Sequence, residues 1–135
     1  MELTNENFIL IRNPAMIDEN ERLNTFKNWR FKRGNCTKDK MAKAGFFKVG
    51  KEDNDEVRCF VCLNVFEHWD RGDDPFKEHG SLYPDCHFAI LQKEQADFTV
   101  EDWIRIMNQR KIILNELRIK MKLNELTVAI SDSLN

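Results

Sequence analysis

Three of the chain's four cysteines and two of its three histidines fall inside a single short stretch, CFVCLNVFEHWDRGDDPFKEHGSLYPDC, running from Cys59 to Cys86. Cys59 and Cys62 are separated by two residues, sixteen more lead to His79, and a further six lead to Cys86. Two cysteines at that spacing chelate one ion from a single turn, and an imidazole with a third thiolate completes a tetrahedron. Four protein ligands leave no position for water, so the set describes one structural Zn2+ rather than a catalytic metal. Such an ion is expected to supply folding energy on the order of 10 kcal/mol. A segment pinned to a metal at both ends restricts the chain to a small domain wrapped around that centre.

Other uses of these residues are weighed against this one. A redox Cys-x-x-Cys would open a helix in a strand–helix alternation that the chain lacks. His87, next to Cys86, and His68, ahead of His79, are substitutes for the neighbouring ligands. Cys36 lies well upstream and reads as a buried unbridged thiol. With the remaining thiols committed to metal and no base-and-orienter arrangement beside Cys36 or Cys62, no enzyme is expected.

At 135 residues the chain accommodates one domain of about 90 residues with an appendage. A net charge of −2 with 33% charged residues shows no single-sign excess, so nucleic acid is not the default partner. The apolar run Phe8 to Ile11 is too short for a secretory core, and nothing approaches the roughly 20 apolar residues of a membrane span. The expected setting is the reducing cell interior, where clustered cysteines are metal ligands more often than disulfides.

Along the chain, Met16, Leu23, Phe26 and Trp29 recur at helical spacing and predict a first helix over 15–29. Thr37 as cap and Gly45 as stop bound a second short helix. The segments FFKVG and EVRCFVCLNVFEHW alternate apolar and polar residues and flank a polar turn, KEDNDE, as strands of a small antiparallel sheet. Pro75 in a first helical position, capped by Asp74, opens a third helix that carries His79.

From Thr99 onward no Gly or Pro occurs for more than thirty residues, and Thr99 with Asp102 forms a capping-box pattern. This predicts one long helix over 99–131. Met107, Leu114, Leu117, Met121 and Val128 project along one stripe, while Ile112, Ile119, Leu123, Leu126 and Ile130 form a second, nearly opposite. Two stripes suit a helix sandwiched between partner helices in a bundle. The competing readings are docking of one stripe on the chain's own core, or a homodimer through Phe98, Val100 and Trp103.

Between the second cysteine and the histidine stand Glu67, Asp70, Asp73, Asp74 and Glu78, with Phe66 and Trp69 among them. Carboxylates beside aromatics receive a small cation with an apolar neighbour, such as a free α-amino group followed by a small side chain.

The ligand run with Trp69 and the DDP at 73–75, together with RLNTFKNW at 22–29 and MAKAGFFKVG at 41–50, resembles the baculovirus inhibitor-of-apoptosis repeat, the BIR domain. The resemblance covers roughly residues 15–92. It implies an α+β fold, a small zinc-binding domain of a three-stranded antiparallel sheet with short helices, here followed by one long C-terminal α-helix. The implied organisation is an N-terminal arm (1–14), the BIR domain (15–92), a linker (93–98) and the helix (99–131). Arg22 matches the family's buried scaffold arginine.

In that family the acidic strip receives peptides that begin with alanine. By position, Asp73 and Glu78 match the amine anchors, Glu67 faces the following residues, and Phe66, Trp69 and Leu82 complete the site. A single BIR followed directly by a long helix is similar to the survivin-type, chromosomal-passenger branch. This implies a histone N-terminal tail as ligand, helices like those of borealin and the inner centromere protein as partners, Aurora B kinase as indirect partner, and residence in nucleus and cytoplasm, on centromeres and at the spindle midzone. The alternative implied function is regulation of apoptosis through caspases or their Ala-starting antagonists. Asn64 and Leu82 stand where that branch carries a lysine and a histidine that sense phosphothreonine, so no cation is offered to a phosphate there.

Overall fold

The computed structural model describes residues 3–135. The first element is one that the arm expectation lacks. Helix α1, Asn5–Arg12, is capped by the Thr4 hydroxyl, which accepts from the Asn7 N–H at 3.2 Å. Its Phe8 and Ile11 lie one turn apart on the same face and are both buried in the core.

The helix expected over 15–29 is a 3-10 turn, Pro14–Ile17, and a short helix α2, Glu19–Leu23. It stops because the Thr25 hydroxyl donates to the Arg22 carbonyl at 2.6 Å and accepts the Lys48 N–H at 2.8 Å, turning the chain toward the sheet. Met16, Phe26 and Trp29 are nonetheless buried. Helix α3, Lys38–Lys43, follows Thr37 and ends at Gly45, whose φ of +90° and approach to the Phe88 ring exclude a side chain.

Strands β1 (Phe46–Lys48), β2 (Val57–Cys59) and β3 (Val65–Phe66) form an antiparallel sheet in that order, with Phe46 opposite Cys59 and Val57 opposite Phe66. Helix α4, Pro75–Leu82, begins as its sequence dictates, the Asp74 carboxylate accepting from the Phe76 and Lys77 N–H groups. Helix α5, His87–Leu91, and a 3-10 turn, Gln95–Asp97, lead to α6, Val100–Leu134, where both halves of the Thr99–Asp102 capping box are made. No helix among the described residues is long and apolar enough to cross a membrane.

Arg22 is fully buried, donating to the carbonyls of Met16, Ile17 and Ala42 and to the Gln95 side chain. Its guanidinium lies 4.4 Å from the Phe60 ring centre. Burial lowers its pKa to about 10, which leaves it charged at neutral pH. One side chain thus ties the first helical segments to α3 and to the segment before α6.

Helix α6 docks on this core with a face the stripe analysis places only in part. Ile106 and Arg110 are buried, and Ile113, Leu114, Leu117 and Met121 pack against the core. Leu114, Leu117 and Met121 are therefore engaged within the chain rather than available to partner helices. The physical reason is that α6 crosses the zinc domain before it leaves it, so its first stripe is covered intramolecularly. Met107 and Val128, from the same stripe, are exposed, as are Ile112, Ile119, Leu123, Leu126 and Ile130 of the second, and every residue beyond Met121. Two of the dimer candidates also fold inward. The half-buried Phe98 ring lies 5.7 Å from Phe88 and 5.2 Å from the half-buried Trp103, while Val100 is exposed.

Candidate metal centre and acidic strip

The β2 end and the turn after it deliver Cys59 and Cys62, the inner face of α4 delivers His79, and the cap of α5 delivers Cys86. All four are buried, and their ligand atoms lie within 4.8 Å of one another. The Cys59 and Cys86 sulfurs are 3.9 Å apart, and Cys62 Sγ is 3.4 Å from His79 Nε2. A tetrahedron with Zn–S near 2.3 Å and Zn–N near 2.0 Å has edges of about 3.8 and 3.5 Å. The residues fit zinc, and none of the four cysteines is bridged.

The protonation pattern points the same way. Hydrogen bonds from Cys59 and Cys62 hold the Cys86 thiol far below its ordinary range, while burial pushes Cys59 up. Three thiols sharing protons in an apolar interior are the group a divalent cation deprotonates and neutralises. Three thiolates and one Zn2+ carry a net negative charge, and buried arginines lie near it, Arg22 and Arg110 within electrostatic reach of Cys59 and Arg58 of Cys62. Arg58 donates to the Leu63 carbonyl at 2.6 Å and Arg110 to the Phe60 carbonyl at 2.5 Å, so both brace the loop between and after the paired cysteines. The Val61 N–H donates to Cys59 Sγ at 3.3 Å, the amide-to-sulfur bond of a metal knuckle. His68 is exposed, and neither it nor His87 belongs to the group whose ligand atoms converge, so neither substitutes for a ligand. Cys36 is fully buried, its thiol donating to the Asp70 and Asp73 carbonyls, and burial pushes its pKa up to about 11.

The acidic residues divide into two groups. Glu67 is exposed, and Trp69 borders the same shallow depression of about 490 Å³, together with Arg30, Asp55 and His68. Asp73 and Glu78 are half-buried at the start of α4, the Asp73 carboxylate accepting the Asp70 N–H at 2.8 Å. Leu82 is 58% exposed at the far end of that helix. Phe66 is corrected by the structure. Its ring packs 4.8 Å from Phe46, 5.1 Å from His79 and 5.2 Å from Tyr83, so it is core around the metal and not strip surface. Trp69 is also buried, 5.6 Å from Phe46, with its indole N–H unpaired.

Sequence reading misses the device that shapes this strip. Asp55 accepts the N–H groups of His68 at 2.9 Å and Trp69 at 2.7 Å, and pairs with Arg30 at 3.0 Å. The same Arg30 nitrogen donates to the Trp69 carbonyl at 2.7 Å. Together they hold a turn in which His68 adopts φ +63°, a left-handed conformation that a non-glycine residue keeps only under such constraint. Burial pushes the Asp55 carboxyl up, but the two backbone donors and Arg30 outweigh it and leave it below its usual range. The only advance signal is the acidic KEDNDE turn, which reads as solvated.

A three-stranded sheet and short helices around a buried Cys3His set define the class. The family description Inhibitor of Apoptosis domain (BIR) matches residues 22–90, and the chain belongs to the BIR family. It is 35% identical over 127 residues to baculoviral IAP repeat-containing protein 5.2-A of Xenopus laevis, covering 83% of this chain and 81% of that protein. Against baculoviral IAP repeat-containing protein 5 of Mus musculus it is 36% identical over 94 residues, 68% of this chain and 67% of the relative. Against the E3 ubiquitin-protein ligase XIAP of Xenopus tropicalis it is 45% identical over 82 residues, 61% of this chain but only 16% of that protein's length. Within the family it is a survivin-type BIR protein.

Proposed function

We propose that the chain is a non-enzymatic adaptor of the chromosomal passenger complex. The BIR domain reads a histone tail or another Ala-starting N-terminal peptide through Asp73, Glu78, Glu67 and Trp69. The outer half of α6 binds helices like those of borealin and the inner centromere protein, and so brings Aurora B kinase to centromeres and the spindle midzone in mitosis. The single observation that carries this reading is an acidic strip beside the Cys3His group on a core against which α6 packs, while Ile112, Ile119, Leu123, Leu126 and Ile130 of that helix are all exposed. Five large apolar side chains in water on one helix call for a partner. A net-acidic strip complements a basic tail with a free amine.

The similarity of the BIR segment to XIAP supports a second reading, an inhibitor-of-apoptosis regulator that binds caspases or their Ala-starting antagonists through the same strip. Isothermal titration with an unmodified histone-tail peptide, its threonine-phosphorylated form and an Ala-Val-Pro peptide separates the two. Because Asn64 and Leu82 offer no cation, the two histone peptides are expected to bind alike. Silence from all three peptides removes the strip assignment.

A further inference from the structure

The near-zero net charge of the whole chain conceals a local excess. Residues 31–43 hold Lys32, Arg33, Lys38, Lys40 and Lys43 against one acid, Asp39. All five cations are exposed. Lys40 reaches back to the Gly34 carbonyl at 2.8 Å, drawing α3 beside the 32–35 turn. Arg71 joins them from another segment. Its stem packs on Gly34, where an added Cβ would meet it at 2.7 Å, and its carbonyl accepts the Asn35 N–H at 3.2 Å. Among the described residues no ion pair engages Lys32, Arg33, Lys38, Lys43 or Arg71. Of the acids that border the face, Asp39 stands on α3 itself, Asp70 and Asp73 flank Arg71 with the Asp73 carboxylate turned to the Asp70 N–H, Asp74 is turned to the α4 amides, and Glu94 shares a depression with Lys40 and Lys43.

The chemistry of this face selects its partner. Cys36 and Met41 of the same stretch, and Trp29 just ahead of it, are buried. A protein interface needs a broad apolar centre, whereas the apolar lining of this face is confined to the buried Pro75 and half-buried Phe76 in the depression beside Lys40 and Lys43. Phe31 is half-buried under the Arg30 guanidinium at 4.4 Å and the half-buried Phe76 is stacked on Phe88 at 6.0 Å, so neither ring stands free as a platform for unpaired bases. What remains is a set of flexible point charges on an exposed turn and helix, suited to spaced phosphates rather than to one phosphate in a nest. Screening over about 10 Å at 0.1 M salt lets such a patch act despite acidic surroundings elsewhere.

We infer that the face formed by Lys32, Arg33, Lys38, Lys40, Lys43 and Arg71 binds the phosphate backbone of duplex DNA without sequence preference. Arg71 lies between Asp70 and Asp73 of the peptide strip, so the two surfaces adjoin there, but the other five cations lie outside the strip and the assignment stands whether or not the strip reads a tail. The test is fluorescence anisotropy of the full chain with a labelled random duplex of about 20 base pairs, which suits the few phosphates such a face spans. The expected result is micromolar binding at about 50 mM salt that weakens about 60-fold by about 200 mM, the slope for three to four phosphates. Lys32→Glu combined with Arg33→Glu, both on exposed side chains, should weaken binding tenfold or more. Lys120→Glu with Lys122→Glu, on the exposed surface of α6, should leave it within twofold. Absence of binding at the lower salt, salt-insensitive binding, or equal loss in both double variants overturns the inference. So does displacement of the duplex by poly-glutamate at lower charge concentration than by unlabelled DNA, which would assign the face to an acidic protein.

Discussion

Arg110 is the residue whose removal the structure predicts most sharply. It lies in the middle of α6, is 3% exposed, and donates to Phe60 O at 2.5 Å, Arg12 O at 3.0 Å and Asn13 O at 3.2 Å. One guanidinium therefore fastens the long helix to the zinc knuckle and to the end of α1. Arg110→Met keeps the stem and deletes the three bonds. Bonds to a charged donor contribute about 1.5–3 kcal/mol each, and returning a buried charge to water recovers several kcal/mol of desolvation. An orphaned buried carbonyl such as that of Phe60 then costs about 1–3 kcal/mol. The expected net loss is about 3 kcal/mol, a large part of the roughly 5–15 kcal/mol of a domain. Urea unfolding at fixed zinc should show a lower midpoint with unchanged slope, and zinc transfer to a chromogenic chelator should accelerate in parallel. Arg110→Lys should recover only part, because one ammonium cannot span carbonyls on two separate segments. A loss below about 1 kcal/mol for Arg110→Met, or unaltered zinc release, refutes the junction.

Four further outcomes follow from the geometry. Elemental analysis should find one zinc per chain, and chelation should abolish cooperative unfolding, since structural zinc supplies on the order of 10 kcal/mol; a metal-free chain with an unchanged melt contradicts this. Asp55→Asn should cost about 2 kcal/mol at neutral pH by weakening the turn at His68 and Trp69. Because the folded-state pKa of Asp55 is depressed, its contribution is present above the ordinary aspartate value of about 3.9 and is lost as pH falls through the folded value. The urea midpoints of wild type and variant should accordingly converge in acid, and a constant gap would rule out the charge as the cause. Leu114→Asp should destabilise by about 2–4 kcal/mol because it buries a charge against the core. Ile119→Asp, on an exposed position, should change stability by less than about 0.5 kcal/mol yet abolish capture of partner helices, and retention of those helices would remove the bundle proposal.

The metal set was legible because ligand chemistry fixes both residue type and spacing, and Asp74, Pro75 and the Thr99–Asp102 box declared their helix starts through capping chemistry that acts locally. What escaped depended on tertiary position. Arg110 looks like solvent-facing charge in any hydropathy stripe, yet it sits in the inward row between Ile106 and Ile113, because the carbonyls that satisfy it come from residues almost a hundred positions earlier and fifty positions earlier. Phe66 belongs to a two-residue strand, too short for alternation to reveal its inward face. Helix α1 is brief and opens with polar residues, so only the docking of Phe8 and Ile11 marks it. Asp55 resembles its solvated neighbours in KEDNDE until the turn at His68 folds over it.

Past Met121, α6 runs on for thirteen residues, about 20 Å, with every residue exposed and, among the described residues, with Leu3, Thr4 and Asn5 bordering its Asn124, Val128 and Asp132. That mast carries aliphatic side chains into water on more than one side, so a solitary copy is an unfinished object, prone to clumping and to capture by chaperones or proteases. The lifetime of the chain in a cell would then be set less by its own folding than by how soon the mast is sheathed, and its abundance would follow that of whatever sheathes it.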